Sequence, residues 1–147
     1  MGDVHAESTL RIERPADEVI TVLRDISEQS QWWPGQYRSE PLETDGQGRV
    51  TRALIGNDVK VAKDDFEVVY SHGPGATGYT WTLAAPSRVQ RAQSGEWSVR
   101  PDGEGACEVT LSLTVDSTLP LPGFLLRKVL QDTVGGATKG LRTRCER

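Results

Sequence analysis

Near the start of the chain Ala6, Ser8, Leu10 and Ile12 alternate with Glu7, Thr9, Arg11 and Glu13, the period-2 pattern of a strand with one buried face. The period then changes. Val19, Val22, Leu23 and Ile26 recur at helical spacing behind Pro15, Asp17 and Glu18. That proline suits the first helical position and the two carboxylates suit the positive end of the helix. An amphipathic helix ending near Asp25 is predicted. Ser27 as N-cap predicts a second, shorter helix that stops at Trp33-Pro34-Gly35, because the residue before a proline is pushed out of the helical region.

From Gln36 to Asp116 turn signals recur at Asp45-Gly46 with Gly48, Gly56-Asn57-Asp58, Gly73-Pro74-Gly75, Pro86-Ser87 and Pro101-Asp102-Gly103, leaving room for six strands. In the clearest, Cys107, Val109, Leu111, Leu113 and Val115 alternate with Glu108, Thr110, Ser112, Thr114 and Asp116, as in an antiparallel sheet wet on one side. Noisier alternation puts Phe66, Val68 and Tyr70 on one face, Tyr79, Trp81 and Leu83 on one face, and Trp97 and Val99 on one face; these aromatics are expected to point inward. After Pro120-Leu121-Pro122-Gly123 the period becomes helical again. Leu126, Leu130, Val134, Ala137 and Leu141 form a stripe that Leu125 and Val129 widen, a final helix of about 24 residues and about 36 Å. Gly135, Gly136 and Gly140 weaken it by about 1 kcal/mol each unless the missing side chains permit a kink, close packing or room for a ligand.

The order of elements is one strand, two short helices, six strands and one long helix: an α+β fold in which a seven-stranded curved antiparallel sheet wraps a long C-terminal helix. Residues 1–147 carry no linker and are expected to form a single domain. A twisted sheet around one helix leaves a wedge wherever side chains do not fill it, and apolar ligands lodge in such wedges.

Composition narrows the possibilities. The net charge of -4 is spread without blocks of like sign, so nucleic acid and anionic membrane are not expected partners. No apolar run approaches the roughly 20 residues of a membrane helix, and the polar N-terminus does not read as a signal peptide, so a cytoplasmic protein is expected. Cys107 and Cys145 have neither metal-ligand spacing nor disulfide multiplicity and read as free thiols. No metal, nucleotide or nucleophile motif occurs, so no cofactor and no metal site are expected.

The segments IERPADEVITVLRDISEQSQWWPG, YTWTLAAPSRVQRAQSGEWSVRPDGEG and VTLSLTVDSTLPLPGFLLRKVL together resemble the START-like (SRPBCC) helix-grip superfamily, in particular the bacterial polyketide cyclase/dehydrase and lipid-transport family. The resemblance covers nearly the whole chain. It implies a cavity between sheet and C-terminal helix used for lipids, polyketides or other hydrophobic molecules, sometimes with catalysis. Aromatase/cyclases of the superfamily are thought to orient their substrate with an arginine, which the resemblance would place in the fourth strand. Here that strand reads VKVAKDDFEVVY, with Lys60 and Lys63 but no arginine.

The expected function is therefore binding, as carriage or sensing, of a hydrophobic small molecule, with a cofactor-free cyclase or dehydratase as the alternative and a monomer or homodimer as the assembly. Expected ligand contacts are Phe66, Tyr79, Trp81, Trp97, Phe124, Val129 and Thr133. Arg91 and Gln93 are expected to supply polar contacts inside the pocket, and Arg91 and Asp65 are the candidates for a catalytic role, although a surface position is the commoner fate of a single arginine and of a carboxylate in a run such as Asp64, Asp65 and Glu67. His5 and His72 are expected at the surface, and Trp32 and Trp33 in the packing.

Overall fold

Strand β1 (Val4–Ile12) leads into helix α1 (Ala16–Arg24), a single 3-10 turn (Ile26–Glu28) and the short helix α2 (Gln29–Trp32). Six strands follow: β2 (Gln36–Thr44), β3 (Val50–Asp58), β4 (Lys63–His72), β5 (Gly78–Leu83), β6 (Gln90–Pro101) and β7 (Cys107–Ser117). Helix α3 (Gly123–Cys145) closes the chain in the computed structural model, which describes residues 3–59, 61–73 and 77–147. Lys60 and most of the turn expected at Gly73-Pro74-Gly75 lie outside the described residues.

The sheet is antiparallel throughout in the order β1-β7-β6-β5-β4-β3-β2. The helical insertion therefore carries the chain from one edge of the sheet to the other, and the six strands return as a meander. Alternation sets the faces: Ile12 pairs with Cys107, Leu10 with Val109 and Ala6 with Leu113, all on the inner side. Pro41 sits in β2, an edge strand, where a missing N–H is tolerated.

Glycines allow close approach at several points, Gly95 and Gly140 among them. A Cβ on Gly95 of β6 would lie 2.2 Å from the Trp81 ring, so that indole lies flat across β6 only because residue 95 has no side chain. A Cβ on Gly140 would lie 1.9 Å from the carbonyl oxygen of Trp32, so α3 packs directly on the backbone of α2. Of the uses open to the helical glycines, close packing is the one realised at Gly140.

Helix α3 is 23 residues, about 35 Å long, and rests mainly on β1 and β7, while α1 lies against β6 and α2 against β2. Seven strands at about 4.8 Å spacing span far more width than one helix of about 10 Å can cover. The inner face between these supports is where space remains.

Some expectations need correction and others hold; the turn expected at Gly56-Asn57-Asp58 lies inside β3. Ser27 caps nothing; it lies inside the 3-10 turn and its hydroxyl donates to Asp25 Oδ1 at 2.6 Å. Leu125 does not widen the buried stripe of α3, being 38% exposed. His72 is half-buried, with Nε2 2.7 Å from the carbonyl oxygen of Val50 and its ring stacked near Tyr70. His5 is exposed and its Nδ1 bonds the Thr114 hydroxyl at 2.8 Å. Trp32 and Trp33 are buried in the packing. Both cysteines are free thiols, Cys107 buried and Cys145 half-buried.

Candidate functional site

The space is a cavity of about 110 Å³ between the first half of α3 and the inner face of the sheet. Leu126, Val129, Leu130 and Thr133 of α3 form one wall. Opposite stand Asn57 of β3, Asp64 and Phe66 of β4, Gln90 and Gln93 of β6, and Leu113, Val115 and Ser117 of β7. Val4 of β1, Val59, Val61 and Ala62, between β3 and β4, and Val89 and Leu119 complete it. A deeper compartment of about 40 Å³, reaching Gln29, Trp33, Gln36, Tyr70 and Trp81, shares Asn57, Phe66, Gln93, Leu113 and Thr133 with the first. The two are adjoining parts of one space, apolar over most of its surface.

Strand parity decides which polar groups face it. Asp64 belongs to the face of Phe66, Val68 and Tyr70 and is 7% exposed, whereas Asp65 and Glu67 point outward. Asp65 accepts a hydrogen bond from the Tyr37 hydroxyl at 3.0 Å and Glu67 pairs with Arg52 at 2.7 Å. Lys63 is also exposed, its ammonium 5.8 Å from the centroid of the Tyr37 ring. On β6 a register shift between Gln90 and Ala92 inserts one extra residue. Gln90 and Gln93 consequently both face the cavity, and Arg91 is turned out to pair with Asp116 at 3.2 Å. Arg91 and Asp65 are thus surface residues, and neither reaches the cavity.

The inward polar groups are linked. Trp81 Nε1 donates to Gln93 Oε1 at 2.8 Å, Gln93 Nε2 to Gln90 Oε1 at 2.5 Å, and Gln90 Nε2 to Asp64 Oδ2 at 3.0 Å. The Ser87 hydroxyl donates to the same oxygen at 2.5 Å. On the other side Gln29 Nε2 donates to Gln36 Oε1 at 2.9 Å and Gln36 Nε2 to Asn57 Oδ1 at 3.3 Å. Among the described residues Asp64 is the only carboxylate on the wall, and no lysine, arginine or histidine joins it there. Such a wall can bind and orient; it holds one group suited to proton transfer.

Of the expected contacts, Phe66, Trp81, Val129 and Thr133 lie on the wall. Tyr79 and Trp97 are buried behind it. The Tyr79 hydroxyl donates to the Leu23 carbonyl at 2.9 Å, and burial raises its pKa well above the usual phenol value, so it is no proton shuttle near neutrality. Trp97 is 1% exposed and packs edge-on against Trp32 and Trp33. Phe124 is 67% exposed; two positions before Leu126 it sits about 200° round the helix, away from the cavity. Sequence reasoning named Asp64 within its run of carboxylates but chose Asp65, and it missed Asn57, Gln90, Gln29 and Gln36; Gln93, expected as a polar contact, lies on the wall. The signal for Asp64 was present, because it shares parity with Phe66, Val68 and Tyr70. For Gln90 there was none, since the bulge leaves no mark in the alternation.

Residues 3–146 match the family model described as polyketide cyclase / dehydrase and lipid transport. Among solved structures the chain is similar to a START superfamily protein from Mycobacterium smegmatis, with 19% identity, TM-score 0.89 and coverage of 99% of this chain and 98% of that one. It is similar to the Zhui aromatase/cyclase from Streptomyces sp. R1128 at 19% identity and TM-score 0.81, covering 99% and 95% of the two chains. A STAR-related lipid transfer protein from Xanthomonas axonopodis matches at 22% identity and TM-score 0.71, covering 96% and 85%. At these identities the likeness is one of fold. A search of curated proteins finds no match.

Proposed function

The chain belongs to the polyketide cyclase / dehydrase and lipid transport family, and on that premise we propose that it binds a hydrophobic small molecule, such as a lipid or polyketide, for carriage or sensing. The observation that carries this reading is the largely apolar cavity between α3 and the sheet. Phe66, Trp81, Val129 and Thr133 are its proposed contacts. The two adjoining compartments, about 110 Å³ and about 40 Å³, together match the roughly 150 Å³ of a cavity that takes benzene, so the space accommodates a ring-sized portion of a ligand, with the remainder toward the mouth. In the same reading residues 1–147 act as one domain, in the cytoplasm, as a monomer or homodimer.

One observation favours a second reading, a cofactor-free cyclase or dehydratase in the same cavity: the buried carboxylate of Asp64. Binding is the better supported of the two, because among the described residues no second acid or base faces that carboxylate across the space.

The test is titration with the neutral fluorophore N-phenyl-1-naphthylamine. The wild-type chain should bind it with a fluorescence gain, and Val129→Trp, which fills the cavity from α3, should weaken binding about tenfold or more while leaving the fold intact by circular dichroism. Equal titrations for the two proteins would overturn the assignment of the cavity.

A further inference from the structure

The hydrogen-bond chain along the cavity wall has a direction that its chemistry enforces. An indole N–H can only donate, so Gln93 must turn its oxygen to Trp81, at 2.8 Å, and its NH₂ to Gln90. Gln90 in turn accepts with its oxygen and donates with its NH₂ to Asp64 Oδ2 at 3.0 Å. Either amide drawn the other way round would set like groups against each other, so the orientation does not depend on telling amide oxygen from nitrogen. The proton of Ser87 is spent on the same oxygen.

Asp64 is therefore the acceptor at which the chain ends, taking the bonds of Gln90 and Ser87. A carboxylate has about four acceptor sites, and both of these bonds go to Oδ2. Among the described residues none donates to Oδ1. Across the strand pair Asp64 faces Asn57, a neutral amide, and no cation of the described residues stands on the wall to offset a second negative charge.

We propose that Asp64 selects the occupant of this cavity: a neutral, ring-bearing apolar molecule that donates a hydrogen bond from a hydroxyl, in preference to plain hydrocarbons and to carboxylate-bearing amphiphiles such as fatty acids. This rests on the reading of the cavity as a site for apolar small molecules and adds which of them it takes. A hydroxyl donor reaching Oδ1 completes the bonding of Asp64, and a site that bonds a hydroxyl discriminates against the analogue lacking it. An anionic head has no proton to donate to Asp64 and would set acceptor oxygens against acceptor oxygens, with no cation of the described residues on the wall to bond it. The remaining wall, Phe66, Leu113, Val115 and Leu130 among it, gives apolar contact that all three kinds of molecule share.

The experiment compares three ligands of one size, naphthalene, 2-naphthol and 2-naphthoate, at neutral pH on the full chain, by displacement of N-phenyl-1-naphthylamine and by calorimetry. Wild type should bind 2-naphthol about tenfold more tightly than naphthalene and more than tenfold more tightly than 2-naphthoate. Asp64→Asn, checked for folding by its melting curve, should bring 2-naphthoate to within about threefold of 2-naphthol. Should that variant not fold, the wild-type ranking decides by itself. Equal binding of naphthalene and 2-naphthol, or tightest binding of 2-naphthoate, overturns the selectivity while leaving the apolar site standing. An unchanged ranking in a folded Asp64→Asn chain overturns Asp64 as its source. Failure of all three ligands and of the fluorophore to bind overturns the underlying reading as well.

Discussion

Arg91 and Gln93 stand two positions apart on β6, and only one of them faces the cavity. Their different fates predict different consequences. Arg91→Ala removes an exposed ion pair with Asp116, and such pairs contribute about 0–1 kcal/mol. Urea unfolding should change by no more than about 1 kcal/mol, and fluorophore binding by less than about twofold. Gln93→Leu instead leaves the Trp81 indole N–H and the Gln90 carbonyl without their partner inside the wall, at a cost of about 1–3 kcal/mol. The same urea curves distinguish the two, and a larger loss for Arg91→Ala than for Gln93→Leu would contradict the placement of both residues.

Helix α3 joins two tasks, since its far half packs on β1 and α2 while its near half roofs the cavity. Its glycines show where each task begins. Nothing lies within 4 Å of a Cβ built on Gly135, so Gly135→Ala should gain up to about 1 kcal/mol of helix propensity, roughly 2–4 °C in melting temperature. At Gly140 the Cβ would meet the Trp32 carbonyl at 1.9 Å, and backbone cannot swing aside as a flexible side chain can. Gly140→Ala should therefore lower stability by about 2 kcal/mol or more, with melting temperature again the measurement. Two like substitutions five residues apart on one helix are expected to have opposite signs.

For the molecule as a whole, burial of weak acids makes stability depend on alkaline pH. Burial pushes the Cys145 thiol from its ordinary 9.0 up to about 11, and burial likewise raises Tyr70 and Tyr79 above the usual phenol value of 10.0. Below pH 9 these groups are protonated in both folded and unfolded chains, and their contribution is fully present. Above it the unfolded chain loses its protons first, so stability falls as pH rises, through Cys145 between about pH 9 and 11 and through the tyrosines from about pH 10 upward. Urea midpoints measured from pH 8 to 11 should decline over that window. Cys145→Ser should flatten the early part of the decline, and a midpoint independent of pH would contradict the burial of these groups.

What the amino-acid sequence determined by itself was whatever period and punctuation encode. The alternation of β7, the 3.6-residue stripe from Leu126 to Leu141 and the helical pair ahead of Trp33-Pro34-Gly35 specify the elements and their order, and with them the two-layer architecture. Each is a local property, set by which side of a strand or helix meets water. The parity of Phe66, Val68 and Tyr70 even contained the inward turn of Asp64. The tertiary structure alone decided the rest. A single bulge on β6 turned Arg91 out and brought Gln90 in, because a one-residue insertion reverses the facing of everything beyond it. Whether an inward aromatic lined space or filled it depended on what lay across the sheet: Trp97 met Trp32 and Trp33, whereas Phe66 met the gap beneath Val129 and Thr133. Facing is written along the chain, and the distance to the opposite wall is not.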